Sequence, residues 1–279
     1  MIQQHLQFEL QGKKTFEKAI VKPPFRFATE LPDEACFYYT VQGCVGIHSP
    51  AGFIEGTAKE GVVMRCGAYI NDFLANESTG ICEVVAVHFY PEVLRMIYDE
   101  DLLTSIGEVE NVEALPHKKV PSSILLKNYI DSLQFYFDNP ALVSEELLKL
   151  KMRELLLLLA KTDNLRVIKV LLASLFNPLK IDFRTIIESN LYNNLKSEEL
   201  AHLAGLSLSS FKREFVKQYG ASPAKYIRIK KLEKAAQMLK STEVRVSDIA
   251  YDCGFNDLAH FSKTFQKHFG SAPTAYRNI

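Results

Sequence analysis

Hydroxyl and basic side chains are concentrated in two short segments that offer hydrogen-bond donors and positive charge. The segments read SSFKR at 209–213 and LAHFSK at 258–263. Serine, lysine and arginine donate hydrogen bonds and the last two are cationic, so both segments suit an anionic partner. Residues 180–279 contain 16 Lys and Arg against 10 Asp and Glu, a net charge of +6, whereas residues 1–179 carry −6. The basic part is therefore the candidate for binding a polyanion.

Both segments lie in a stretch of sequence that occurs twice, and the repeat predicts the elements that carry them. Each copy predicts a short helix containing alanine, a turn containing glycine, and a longer helix with phenylalanines four residues apart. The glycine permits a positive φ, and the phenylalanines anchor one helix face, which leaves the basic residues on the opposite face. The matched residues are Ala201, Gly205, Phe211, Phe215, Gly220, Pro223 and Tyr226, then Ala250, Gly254, Phe261, Phe265, Gly270, Pro273 and Tyr276.

The segment PAKYIRIKKLEKAAQMLKS predicts one continuous helix between the two copies. Pro223 suits its first turn, and Ser222 is predicted to cap it. Its apolar stripe consists of Ile229, Leu232, Ala236 and Leu239. The prediction is a domain over 178–279 with a helix–turn–helix at about 197–220, a linker helix at about 223–241 and a second helix–turn–helix at about 246–270.

Residues 183–279 resemble the DNA-binding domain of the AraC/XylS family of bacterial transcription regulators. The family signature in the second repeat is a Gly-Phe pair, spaced phenylalanines and G-x-x-P-x-x-Y-R, here Gly254, Phe255, Phe261, Phe265, Gly270, Pro273, Tyr276 and Arg277. The resemblance covers about a third of the chain. It implies double-stranded DNA and RNA polymerase as partners. It also implies two recognition helices in successive major grooves, about one turn or ~34 Å apart.

Roles in DNA contact follow from side-chain chemistry together with this resemblance. The long donors Lys212, Arg213 and Lys263 suit guanine O6 and N7. The groups suited to bases or phosphates are Ser209, Ser210, His260 and Ser262. The predicted phosphate anchors are Lys217, Lys225 and Lys267. Leu258 either packs on a thymine methyl or closes the turn, and a solvated helix face is the alternative for each charged residue.

The N-terminal domain, 1–177, is predicted to hold strands at about 23–90 and helices at about 91–176. Its strand segments are rich in Val, Ile, Phe and Tyr and are bounded by turn residues, which is typical of an antiparallel barrel or sandwich. The family resemblance implies a cupin-like β-barrel with following helices that senses a small molecule or a partner protein and carries dimer contacts. The predicted fold class is therefore α+β with two domains.

Two helical segments close this N-terminal domain. The segment ALVSEELLKLKMRELLLLLAKT has apolar residues on more than one face, so it is either a core helix or a helix that pairs with a second subunit in a homodimer. The segment NLRVIKVLLASLF at 164–176 predicts a further helix, and Asn177-Pro178 ends it at the domain boundary.

Metal binding, cofactors and catalysis are not indicated. The five cysteines lack a CxxC pair, and no H-x-H precedes a suitable Glu. His48 and His88 are isolated in the sequence and are expected to be satisfied core or surface histidines. The alternative is a DNA-repair enzyme fused to the DNA-binding module, which needs an activated cysteine. Only Cys66, beside Arg65, has a basic neighbour in residues 1–179. We therefore expect no enzyme.

Location and ligand contacts are predicted less specifically. No apolar run approaches the ~18 residues that span a bilayer, and no signal peptide is evident, so a reduced cytoplasm is expected. The ligand-binding residues stay unknown. Aromatic candidates, more often core than pocket, are Phe25, Phe27, Phe37, Tyr38, Tyr39, Phe53 and Tyr69. Candidate partners for an acidic ligand are Lys22, Arg26 and Arg65.

Overall fold

A computed structural model describes residues 1–98, 117–161, 175 and 181–278. The chain divides into two compact units, Met1–Ile181 and Asp182–Ile279. The helix expected at 164–176 lies outside the described residues except for Leu175, and so does the boundary at Asn177-Pro178.

The first unit contains two antiparallel sheets. Its described strands are β1 (Ile2–Leu10), β2 (Lys13–Val21), β3 (Phe25–Leu31), β4 (Ala35–Gln42), β5 (Cys44–Ser49), β6 (Gly52–Thr57), β7 (Gly61–Met64), β8 (Gly67–Leu74), β9 (Cys82–Phe89) and β10 (His117–Val120). One sheet has the order β1-β2-β9-β4-β7-β10, and the other has the order β3-β8-β5-β6.

Three strands lie outside the predicted range of about 23–90. Strands β1 and β2 precede it, and β10 follows it. In β1 Leu6, Phe8 and Leu10 alternate with polar residues, but the strand is Gln-rich and its first four residues are exposed, so its apolar signal is short. Its partner β2 determines its placement through cross-strand pairs such as Phe8 opposite Phe16.

Alternate residues of the six-stranded sheet face two different cores. Phe37, Val85 and Val87 face a core shared with helices, whereas Cys36 and Val84 face the core between the sheets. Strand β9 is buried along its whole length because both of its faces are covered. The helices of this unit are α1 (Pro91–Ile97), α2 (Ile124–Asp138) and α3 (Glu145–Lys161), and a short 3₁₀ turn spans Pro140–Leu142.

Helix α3 is the Leu-rich segment whose role the sequence left open. Leu148, Met152 and Leu155 are buried in the helix-side core. On the same helix Leu150 is 61% exposed and Leu157 is 53% exposed. The helix therefore has both a core face and a second, uncovered apolar face.

The second unit is helical among its described residues. Its helices are α4 (Phe183–Asn190), α5 (Ser197–Leu203), α6 (Leu208–Tyr219), α7 (Pro223–Ser241), α8 (Val246–Asp252), α9 (Leu258–Phe269) and α10 (Pro273–Arg277). Gly220 and Gly270 end α6 and α9 in the left-handed conformation, which glycine adopts without steric cost. Ser222 precedes α7 without a side-chain capping bond, so the predicted cap is wrong.

The predicted fold class, an antiparallel β domain with following helices and an all-α domain with two helix–turn–helix motifs, is confirmed. In the described ranges no helix is both long enough and apolar enough to cross a membrane.

Candidate nucleic-acid interface

Helix α6 presents the first predicted recognition surface. Ser207 caps it, because its Oγ accepts a hydrogen bond of 3.3 Å from the backbone N–H of Ser210. Phe211 and Phe215 are fully buried in the core around the first helix–turn–helix, which is called the first core, and their ring centroids lie 5.7 Å apart. The 3.6-residue period then directs Lys212 away from that core, and its side chain is exposed.

Helix α9 repeats this arrangement. Asp257 accepts hydrogen bonds from the backbone N–H groups of Ala259 (2.6 Å) and His260 (3.0 Å). Phe261 and Phe265 are fully buried in the core around the second helix–turn–helix, which is called the second core, and their ring centroids lie 5.5 Å apart. Each helix is thus fixed by a cap at its start and by two aromatic anchors on its inner face.

The predicted site residues all lie outside the two cores. Ser209, Lys212, Arg213, Lys217, Lys225, Leu258, His260, Lys263 and Lys267 are exposed, and Ser210 and Ser262 are half-buried. Arg213 and Lys263 occupy equivalent positions, each two residues after the first buried phenylalanine of its helix. The repeat therefore presents one long cation at the same place on each helix. Leu258 is 38% exposed and does not belong to the second core.

The basic residues differ in their pairing. Among the described residues Lys212, Arg213 and Lys263 make no ion pair with a carboxylate, although the Arg213 guanidinium donates a hydrogen bond of 3.4 Å to Ser210 Oγ. Lys217 Nζ lies 3.7 Å from Glu214 Oε2. An unpaired surface cation can neutralise a phosphate or contact a base without first losing a partner, so the first three are better placed than Lys217 to bind an anion.

The first unit contains a cavity of about 230 Å³ between its sheets. Phe25, Phe27 and Tyr38, three of the predicted aromatic candidates, line it. Tyr38 Oη and Asn71 Oδ1 are buried side-chain atoms that have no hydrogen-bond partner among the described residues, and both residues line the cavity. A bound molecule with hydrogen-bonding groups can satisfy these two atoms.

The remaining ligand candidates lie elsewhere. Phe37 and Tyr39 belong to the helix-side core, Tyr69 is fully buried with its hydroxyl donating to Arg65 O (2.7 Å), and Phe53 is largely exposed beside His48. None of the basic candidates Lys22, Arg26 and Arg65 lines the cavity, and Arg26 pairs with Asp72. The basic residues that do line it are Lys14, His5 and His88.

His88, which is isolated in the sequence, has charged neighbours in space. Its Nε2 lies 3.2 Å from Glu17 Oε2, and its Nδ1 lies 3.2 Å from Glu34 Oε2. Burial opposes the charge on His88, but its bonds to the two carboxylates outweigh burial and raise its pKa. Burial likewise opposes ionisation of Glu17 and Glu34, yet the bonds from His88 lower the pKa of both.

His48 also has a partner, since its Nε2 lies 3.0 Å from Asp72 Oδ2. Sequence reasoning missed these clusters because their members lie on different strands. In the described part of the chain no three His, Cys, Asp or Glu side chains are grouped so that they could hold a metal ion.

The five cysteines are free thiols. Burial raises the pKa of Cys36, Cys66 and Cys253, and it raises that of Cys44 to about 11 and that of Cys82 to about 12. The Arg65 charge beside Cys66 does not offset burial. These thiols are therefore protonated near neutral pH, unlike the low-pKa cysteines of nucleophilic enzymes.

Two helix–turn–helix units on one linker helix define a protein with a double recognition module. Residues 200–279 match the model of a helix-turn-helix domain family of the AraC type, and residues 35–169 match the ExsA N-terminal regulatory domain. The C-terminal part of the chain is thus a helix-turn-helix domain of the AraC type, as the sequence predicted.

Individual relatives match over about a third of the chain. The HTH-type transcriptional activator RhaS of Mannheimia succiniciproducens is 36% identical over 91 residues, which cover 33% of this chain and 34% of RhaS. The chain thus spans about a third of the length of the curated relatives that it matches.

Two solved structures are also similar. The C-terminal domain of the response regulator yesN from Fusobacterium nucleatum is 30% identical, covers 34% of this chain and 93% of its own, and has a TM-score of 0.32. ToxT from Vibrio cholerae O395 is 14% identical, covers 95% of this chain and 99% of its own, and has a TM-score of 0.40.

Proposed function

We propose that the protein is a sequence-specific DNA-binding transcription regulator that acts as an activator. The observation that carries this proposal is the repeated geometry of α6 and α9. Each helix buries two phenylalanines and presents an unpaired long cation, Arg213 or Lys263, at the same position. Long cations on an exposed helix face suit the major groove, where they donate to guanine O6 and N7.

The two helices divide the work of reading the site. In this proposal α6 and α9 enter successive major grooves, and Lys212, Arg213 and Lys263 contact base edges. Ser209, Ser210, Leu258, His260 and Ser262 complete these surfaces, and Lys217, Lys225 and Lys267 hold phosphates. Base contacts differ between the helices because SSFKR and LAHFSK differ, so each half of the site has its own sequence. RNA polymerase is the partner through which a bound activator acts.

The first unit is proposed to control this activity by binding a small molecule or a partner protein. Its cavity supports a small effector, because Tyr38 Oη and Asn71 Oδ1 are buried there without partners in the described part of the chain. An effector with groups that pair with both atoms would form hydrogen bonds that the described protein groups do not supply.

Helix α3 supports a homodimer. Leu150 and Leu157 are seven residues apart, so they lie on the same side of α3, and both are largely exposed. Pairing two copies through this face buries leucine side chains that otherwise remain in water.

A DNA-repair enzyme is the alternative, and the cysteine environments argue against it. Burial raises the pKa of all five thiols, whereas covalent methyl transfer to cysteine needs a thiolate. We therefore propose a non-enzymatic protein that needs no cofactor and acts in the cytoplasm. Incubation with alkylated DNA tests this point, and stoichiometric methyl transfer to one of the cysteines would contradict it.

Sequencing the genomic DNA that the purified protein retains, with and without cell extract, tests the main proposal. We expect a discrete set of sites with a shared two-part sequence, and enrichment that changes with extract if an effector exists. On a recovered site the logarithm of affinity should fall with the logarithm of salt concentration by about 0.9 for each phosphate neutralised. A flat salt response, or retention of random fragments only, contradicts sequence-specific binding.

A further inference from the structure

One lysine of the linker helix bridges the loop that precedes the first helix–turn–helix and the turn of the second. Lys231 Nζ donates hydrogen bonds to Asn194 Oδ1 (2.8 Å) and to the backbone oxygen of Gly254 (2.9 Å). Asn194 lies in the loop between α4 and α5, and Gly254 lies in the turn between α8 and α9. Asn194 Nδ2 also donates to Asn256 Oδ1 at 2.9 Å. We call these four residues the Lys231 bracket.

The apolar contacts of α7 do not perform the same task. Tyr226 and Ile227 pack against the first core, whereas Leu232 and Leu239 belong to the second. These contacts attach each unit to its own part of the linker. The angle between the two helix–turn–helix motifs then depends on residues that contact both sides, and the Lys231 bracket is a group of such residues.

The backbone at the bracket shows how closely the two units approach each other. A Cβ placed on Gly254 would lie 2.7 Å from Lys231 Nζ, 2.9 Å from Asn194 Oδ1 and 3.0 Å from Tyr192 O. Gly205 is the equivalent glycine in the turn of the first helix–turn–helix, and a Cβ placed there would have no such neighbour within 4 Å. The turn between α8 and α9 therefore packs closely against the loop between α4 and α5, and the Lys231 ammonium group lies between them.

Charge strengthens this connection. The Lys231 side chain is half-buried, and burial lowers its pKa without a carboxylate beside it. Its hydrogen bonds are charge-assisted, which makes each about twice as strong as a neutral one. The oxygens of Asn194 and Gly254 replace the water that the ammonium group loses, so separating the two units would leave this charge poorly solvated.

We propose that the Lys231 bracket fixes the distance and angle between α6 and α9 and thereby makes the protein selective for one spacing between the two halves of its DNA site. This inference rests on the proposed function. One added base pair moves a half-site by ~3.4 Å along the duplex and rotates it by roughly 35°. Two helix–turn–helix units held rigidly cannot follow that displacement. When one of them is bound, the other therefore has a low effective concentration at its displaced half-site.

Lys231→Met tests the bracket because it removes the ammonium group and keeps an unbranched side chain. Lys230→Met is the matched control, since it removes the same charge from the adjacent residue, whose ammonium pairs with Glu233 on the same helix at 2.8 Å. Asn194→Gly is the second test variant. Asn194 has a φ of 53°, which glycine adopts easily, so this change removes the side-chain bonds without backbone strain.

The assay measures the Kd of the full-length protein for the recovered site and for versions with one base pair removed from, or added between, the half-sites. We expect the wild type and Lys230→Met to prefer the natural spacing by about tenfold or more, and Lys231→Met and Asn194→Gly to prefer it by about threefold or less.

The ratio of Kd values decides the outcome, so a uniform loss of affinity does not imitate the effect. An unchanged ratio in Lys231→Met and Asn194→Gly would overturn the bracket while leaving specific DNA binding intact. A wild type with no spacing preference would do the same. A wild type that binds no specific sequence would overturn the proposed function as well.

Discussion

Replacing Gly254 by alanine should destabilise its helix–turn–helix unit much more than Gly205→Ala destabilises the other. Both glycines have a positive φ, 76° at Gly254 and 63° at Gly205. An alanine in this left-handed conformation costs ~1–2 kcal/mol at either position. Only at Gly254 does the new methyl also meet three atoms at 3.0 Å or less.

The additional cost at Gly254 follows from those three neighbours. The Lys231 ammonium must move away, which disrupts a charged hydrogen-bonding arrangement worth ~1.5–3 kcal/mol. Tyr192 O is a backbone atom and cannot retreat as a flexible side chain can. We therefore expect a loss of about 3–5 kcal/mol for Gly254→Ala and about 1–2 kcal/mol for Gly205→Ala.

Hydrogen exchange of the full-length variants, resolved by peptide, measures these losses separately for α5–α6 and α8–α9. Local opening free energies are read from the exchange rates, so the two units report independently of the N-terminal unit. Similar losses at the two glycines would refute the reasoning, because they would mean that the close approach at Gly254 has no energetic consequence.

Three further predictions concern the DNA surface, the dimer and the buried histidine. Lys263→Ala should cost ~1–3 kcal/mol, about 5- to 150-fold in Kd, at the specific site and relax base preference there, whereas Lys267→Ala should weaken all sequences alike; equal behaviour of the two variants in a binding titration would count against base reading. The double variant Leu150→Glu, Leu157→Glu should be a monomer in light scattering where the wild type is a dimer, and it should retain its unfolding transition. A wild type that stays monomeric at high concentration would exclude this interface. Because the pKa of His88 is raised in the folded state, its stabilisation is present below the unfolded pKa of ~6.5 and is lost as pH rises through the folded value. Urea unfolding of the N-terminal unit should therefore show stability that falls as the pH rises above ~6.5. His88→Gln should flatten that dependence, and an equally steep fall in this variant would contradict the assignment to His88.

The double recognition module could be predicted from sequence because its information is local. In each copy the glycine, the paired phenylalanines and the terminal glycine stand at nearly the same offsets, and each residue acts within one short helix–turn–helix unit. The helices α6 and α9 follow directly from these positions. The same signals assign Lys212, Arg213 and Lys263 to the outer faces, since the phenylalanines occupy the inner ones.

Strand β1 marks the limit of such local reasoning. Its apolar alternation is confined to Leu6, Phe8 and Leu10, and its pairing with β2 is what places the whole strand in the sheet. The ligand candidates show a similar limit. Phe25 and Phe37 both read as apolar strand residues, but sheet geometry places one at the cavity and the other in the helix-side core.

The sequence by itself determined the AraC-type domain, its two helix–turn–helix units and the residues on their outer faces. The tertiary structure alone decided which polar groups meet. His88 contacts Glu17 across 71 residues of chain, and Lys231 contacts Asn194 across 37. Contacts of this kind depend on how strands and helices pack, whereas helical periodicity and turn chemistry depend on neighbours a few residues away. For that reason the two helix–turn–helix units could be predicted from the sequence, whereas the Lys231 bracket that joins them could not.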